Sequence, residues 1–121
     1  MTRKVAMMTT DDRDTVLATP EELAGLVAVQ AGAVVSRTIL KGRGGTVTLF
    51  AFGAGEGLSE HTTPHEALVV CLDGEADITV GGETHRLETG RALRLPAGVP
   101  HAVAAVAPFR MMLVMLRDPA G

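Results

Sequence analysis

Imidazole, thiol and carboxylate groups are the side chains here that could do chemistry, and they are unevenly spread. There are four histidines and one cysteine in 121 residues. Imidazole is the side chain whose ordinary pKa, about 6.5, lets it exchange protons near neutrality, and it is also a common metal ligand. His61 and His65 sit in one short stretch, His-Thr-Thr-Pro-His-Glu, and His101 follows Pro96-Ala97-Gly98-Val99-Pro100. His85 lies beside Arg86 and reads as a surface or structural residue. Cys71 falls inside the apolar run Leu68-Val69-Val70-Cys71-Leu72, where a free cysteine behaves as a small hydrophobe. A nucleophilic thiol needs a depressed pKa and a nearby base, and the sequence signals neither. Glu56, Glu60 and Glu66 read as a solvated acidic rim.

Composition removes several function classes. The chain has 11 basic and 14 acidic side chains, a formal net charge of −3, and no basic cluster. That excludes the phosphate-neutralising surface on which nucleic-acid binding relies. With 46% hydrophobic and 21% charged residues, disorder is excluded and one compact domain is expected. Three phenylalanines and no Trp or Tyr leave the core to Val, Leu, Ala and six Met, so a pocket has little to stack on a flat ligand. No apolar stretch is long enough to span a membrane, and no apolar signal region precedes Asp11-Asp12. A single cysteine allows no internal disulfide and implies a reducing, cytoplasmic setting.

The elements that must position these groups read mainly as strands. Residues 1–18 are polar, without periodicity, and are expected to form a loose arm or one that adds a strand to a partner subunit. Residues 19–33 are expected to hold a short helix and a linker. Thr19 would cap the amide of Glu22, Pro20 suits the first helical position, and the helix would run over about 20–29 and end before Gly32. From residue 34 to 121 the punctuation is that of short strands. Runs at 34–41, 46–53, 67–72, 75–80, 84–87, 91–95, 101–106 and 109–116 are separated by glycine-rich turns, among them Asp73-Gly74, Gly81-Gly82 and Thr89-Gly90. Such spacing predicts an all-β sandwich or barrel. Residues 68–72 and 111–116 are apolar on both faces, which calls for a second covering layer. A homodimer is the preferred expectation, with cover by the N-terminal helix as the alternative. Met111, Met112 and Met115 are expected in that core or interface.

Two stretches then carry a family resemblance. Gly55 and His61, closed by Gly74, keep the spacing of the first cupin motif, and Gly90, Pro96, Gly98 and His101 match the second residue for residue. The chain therefore resembles the cupin family, which implies a double-stranded β-helix (a jelly-roll barrel) preceded here by one short helix. The resemblance also implies a divalent metal held by residues that fall at His61, Thr63, Ala67 and His101. Thr63 and Ala67 are not competent ligands, and the polar position late in the second motif is Ala105. His61, Thr63, Ala67, His101 and Ala105 are the expected pocket residues. If a metal is held, His61 and His101 need a third ligand. Two-residue alternation puts His61, Thr63 and His65 on one face, which makes His65 the preferred one, and a bulge at 62–64 would offer Glu66 instead.

Two functions follow from this reading. The first is a small-molecule-binding or sensing module with its pocket around His61 and His101. The second is a small metal-dependent enzyme of dioxygenase, isomerase or lyase type, using His61, His101 and His65 or Glu66 to hold Zn, Fe, Mn or Ni. The first needs no metal. Fold does not choose between them.

Overall fold

The expected turns divide the chain where glycine is needed. Gly74 has φ +81° and Gly98 has φ +75°, a region that L side chains seldom adopt. A Cβ on Gly74 would also collide with the carbonyl of Pro108. The computed structural model describes residues 16–117 throughout and residues 6–11 as backbone. In order, the chain forms β1 (Ala6–Asp11), β2 (Ala33–Gly42), β3 (Gly45–Phe52), β4 (Gly57–His61) and β5 (Glu66–Asp73). It continues with β6 (Glu75–Val80), β7 (Glu83–Glu88), β8 (Ala92–Leu95), β9 (His101–Ala105) and β10 (Phe109–Leu116). A six-stranded sheet has the order β1-β2-β3-β10-β5-β8, and a four-stranded sheet the order β4-β9-β6-β7. All pairings are antiparallel except β1 with β2. The long crossovers that set β3 beside β10 and β4 beside β9 make this the jelly roll that the turn spacing and the motifs implied.

Each strand alternates its side chains between the two sheets and the outside. Val34, Phe52, Val69, Cys71, Phe109 and Met111 meet Ala76, Ile78, Val103 and Ala105 in the core between the sheets. This end of the barrel is its floor, where β3 ends and β6 and β10 begin. The phenylalanine rings of Phe52 and Phe109 lie 5.5 Å apart there. The other end, where β4 ends and β5 and β9 begin, is the mouth.

The expected short helix over 20–29 does not form. Only a 3-10 turn is present, Leu23–Leu26, capped at Glu22 with no side-chain hydrogen bond, and Val27 is already extended. The Leu17 amide donates to Glu21 instead. The reason lies in what holds the segment. Arg37 donates to the Leu26 carbonyl and Arg110 to the Val27 carbonyl, each at 2.9 Å. A continuing helix would need those carbonyls for its own amides. Gly25 and the valines are weak helix formers as well. The flattened segment lays Leu23, Leu26, Val27 and Val29 over Ile39, Leu49, Ala51 and Met112 on the outer face of the larger sheet. Each such side chain, once fully buried, contributes about 1.5–3 kcal/mol. Of the expected N-terminal arm, residues 6–11 run parallel to the chain's own β2. Residues 1–5, 12–15 and 118–121 lie outside the described residues.

Candidate functional site

His101 opens β9 and His61 closes β4, and the two are register partners across the strand pair. Between Leu58↔Val103 and His61↔His101 the β4 register slips. Without that bulge Leu58 and His61, three residues apart, would point to opposite faces. With it, both turn inward. The loop before His101 is fixed from two sides. The Gly98 amide donates to the Thr63 carbonyl at 2.8 Å, and the Ala97 amide donates to Glu66 Oε2 at 2.7 Å.

The two rings meet edge to face, with centroids 4.3 Å apart and planes at 69°. Their Nε2 atoms are 3.1 Å apart. His61 Nδ1 faces the Ser59 carbonyl at 2.9 Å, and His101 Nδ1 faces the Val99 carbonyl at 3.3 Å. A carbonyl only accepts, so each Nδ1 carries a proton and donates it. Both Nε2 atoms then turn toward one point, where a proton, a ligand's donor group or a cation can satisfy them. His101 is 5% exposed, whereas His61 is exposed at the mouth. Burial, and then the nearby His61, lower the pKa of His101, opposed by the Val99 carbonyl. Its Nε2 lone pair is therefore kept available near neutrality.

The other expected pocket residues have different places. Ala67 and Ala105 are buried in the apolar core, Ala67 near the mouth and Ala105 at the floor. Thr63 lies in the connection after β4, where its hydroxyl accepts the His65 amide at 3.2 Å. Strict alternation through residues 61–65 fails because β4 stops at His61 and β5, in the other sheet, starts only at Glu66. Pro64 lies inside that break and has no amide to give a ladder. Neither His65 nor Glu66 joins the histidine pair: among the described residues no three of His, Cys, Asp and Glu come together to hold a metal. His65 Nδ1 is buried without a hydrogen-bond partner. Glu66 is bound to Arg94 at 2.9 Å and to Ala97, and the Ala97 amide, followed by Arg94, holds its carboxyl below the usual range.

The remaining candidates are structural. His85 faces Glu83 at 3.2 Å on β7, as a surface residue would. Burial pushes the Cys71 thiol up, and its Sγ contacts the Asp73 and Gly74 carbonyls, so it behaves as core. Glu56, expected on a solvated rim, is buried at 7% exposure. No apolar pattern surrounds it in sequence to signal that.

Residues 48–116 match the cupin domain family. The chain is a cupin. It is 30% identical over 99 residues to an uncharacterised protein of Streptomyces coelicolor, a match covering 82% of this chain and 92% of that one. Among solved structures it resembles a conserved protein of unknown function from Streptococcus pyogenes, with TM-score 0.80 and 34% identity over 84% of this chain and 89% of that one. A cupin superfamily protein from Desulfitobacterium hafniense is also similar, with TM-score 0.80 and 31% identity over 84% of this chain and 93% of that one.

Measured against a metal, this cupin's residues fit in part. Two nitrogens bound to one ion at about 2.0–2.1 Å with a tetrahedral angle lie roughly 3.3 Å apart, close to the separation of the two Nε2 atoms. Backbone carbonyls on the opposite ring nitrogens are also what orients ligating imidazoles. The third protein ligand of such sites is missing from the described set. No helix of the described residues is long and apolar enough to cross a membrane.

Proposed function

We propose that this cupin is a small-molecule-binding or sensing module that holds its ligand at the mouth of the barrel between His61 and His101. The observation that carries the reading is the convergence of two Nε2 atoms at 3.1 Å, with both Nδ1 protons committed to carbonyls. Such a pair is an acceptor site. It suits a ligand that presents a hydroxyl or ammonium donor. The absence of Trp and Tyr from the chain disfavours flat aromatic ligands. A reducing, cytoplasmic setting, consistent with the lone buried Cys71, is part of this proposal.

A thermal-shift screen of small hydroxylated and aminated compounds tests it. A true ligand at a hundredfold excess over Kd should stabilise the protein by about 2.7 kcal/mol, and His61→Ala should abolish the shift. A shift that survives His61→Ala in full rejects the site.

One observation favours a second reading, a metal-dependent enzyme of dioxygenase, isomerase or lyase type. The Nε2 separation is that of two ligands on one ion of Zn, Fe, Mn or Ni. Such an enzyme would have to draw its third ligand from His65, Glu66 or the substrate. Metal analysis of protein purified without chelator separates the two. Near-stoichiometric metal that disappears in His61→Ala selects the enzyme, and metal-free protein indifferent to added divalent ions selects the binding module.

A further inference from the structure

Five residues, Pro96-Ala97-Gly98-Val99-Pro100, carry the chain from β8 to His101. The prolines have no amide, so the segment has only the amides of Ala97, Gly98 and Val99 with which to fix itself. All of them are committed. Val99 donates to the Pro96 carbonyl at 3.3 Å, and Gly98 to the Thr63 carbonyl at 2.8 Å. Ala97 donates to Glu66 Oε2 at 2.7 Å, the shortest of these bonds and the one that a side chain accepts. Glu66 opens β5 in the larger sheet, whereas His101 opens β9 in the smaller one. Arg94 on β8 holds the other oxygen, Oε1, at 2.9 Å, which leaves Oε2 aimed at the loop. At its far end the loop is held by the β6–β7 turn, where the Gly81 amide donates to the Pro100 carbonyl at 2.8 Å. Between these anchors stands the Val99 carbonyl, which receives the Nδ1 proton of His101.

We infer that Glu66 is a positioning residue for this site: by fixing Ala97 it aims the Val99 carbonyl, and so sets which nitrogen of His101 carries the proton. The inference rests on the binding reading above and names the residue that keeps the site's acceptors free. A neutral imidazole has one N–H and one acceptor nitrogen, and the hydrogen bond made by one nitrogen decides the role of the other. His101 is the histidine nearer to a change, because its Nδ1 contact is 3.3 Å against 2.9 Å for His61. With the Val99 carbonyl turned away, the proton moves to His101 Nε2 and is donated to His61 Nε2, 3.1 Å away. The rings then satisfy each other. The site no longer offers two acceptors to a hydroxyl or ammonium group. Glu66 therefore sets what the pair can bind without itself touching the ligand.

Long-range proton–nitrogen correlation spectra of the full chain test the inference, with chelator present and at about pH 8, where imidazoles are neutral. In the wild type the His101 Nε2 resonance is expected in the pyridine-type range and Nδ1 in the pyrrole-type range. In Glu66→Ala the two should exchange ranges. Glu66→Gln keeps an oxygen for the Ala97 amide and should restore the wild-type pattern, a rescue that a general loss of stability does not produce. Glu66→Ser is also too short to reach Ala97, and it replaces Glu66→Ala if that variant lacks a cooperative thermal transition. A wild type with the His101 proton already on Nε2 overturns the inference before any variant is made. So does a His101 pattern that Glu66→Ala or Glu66→Ser leaves unchanged, and so does a Glu66→Gln that behaves like Glu66→Ala. None of these measurements involves a ligand, so a compound screen without a hit rejects the binding reading alone.

Discussion

The floor and the mouth of this barrel are made by the same strands and different chemistry. β9 starts with His101 at the mouth and finishes with Ala105 at the floor, and β3 runs the other way, from Thr46 and Thr48 to Phe52. At the floor Phe52, Phe109 and Ala76 have no exposed surface. Toward the mouth the inner face carries hydroxyls, with Thr38 and Thr48 bonded to each other at 3.3 Å, and then the histidine pair. Apolar packing contributes most where water is excluded, whereas a site needs polar groups that are held still and remain reachable. Dividing the two along the strands lets the site carry an incompletely satisfied pair of acceptors without weakening the core. Measurements that act on one end and are read at the other should find them nearly independent.

The largest effect belongs to the floor. Phe52→Ala removes a ring that packs on both Phe50 and Phe109. A fully buried phenylalanine truncated in this way costs about 3–5 kcal/mol. Urea denaturation should show that loss in the midpoint with little change of slope. Below the transition, the imidazole resonances of His61 and His101 should keep their wild-type shifts. Large changes in those shifts would join the two ends that the comparison separates.

A smaller effect belongs to the outer cover. Arg110 donates to the Val27 carbonyl at 2.9 Å and pairs with Asp73 at 2.6 Å. Arg110→Ala should cost about 1–2 kcal/mol, because the pair with Asp73 is partly solvent-screened and the carbonyl bond is the better protected contribution. Hydrogen exchange should rise first in residues 22–29, ahead of β3 and β10. Uniform acceleration across the sheet would mean that the segment is no separate layer.

How much of this was legible in the sequence differs with the element. β6 and β10 were, because Asp73-Gly74, Gly81-Gly82 and the run of 109–116 state their ends and their burial. The floor was legible in the same way, as apolar alternation. β4 was not, since Gly57-Leu58-Ser59-Glu60-His61 offers one large apolar side chain and no alternation, and its inward turn depends on a bulge that no residue announces. Alternation does not reach His65 for a related reason: it breaks at Pro64, where the chain leaves one sheet for the other. The helix expected over 20–29 was overridden by two arginines distant in sequence, Arg37 and Arg110, which take the carbonyls it needed. Motif spacing identified His61 and His101, but the direction of their lone pairs follows from Ser59 and Val99 carbonyls, which every sequence has.

The smallest effect is read at the mouth, in the pH dependence of stability. Burial, and then His61, hold His101 below the ordinary histidine pKa. The unfolded chain therefore takes up a proton near pH 6.5, where folded His101 does not, so in this range the unfolded state binds more protons and stability rises with pH. The contribution is complete above about pH 6.5 and is lost as the pH falls through the ordinary histidine value toward the lowered one. Thermal midpoints measured from about pH 8 down to about pH 5.5 should decline in the wild type and decline less in His101→Gln, which keeps a polar group but does not titrate. Glu66, whose carboxyl is held low by Ala97 and Arg94, loses its favourable contacts only at more acid pH, so it does not confuse this window. Phe52→Ala should show the wild-type slope at a lower midpoint. If that variant flattened the slope as His101→Gln is expected to, the burial that lowers His101 would be supplied from the floor, and the two ends would be one cooperative unit.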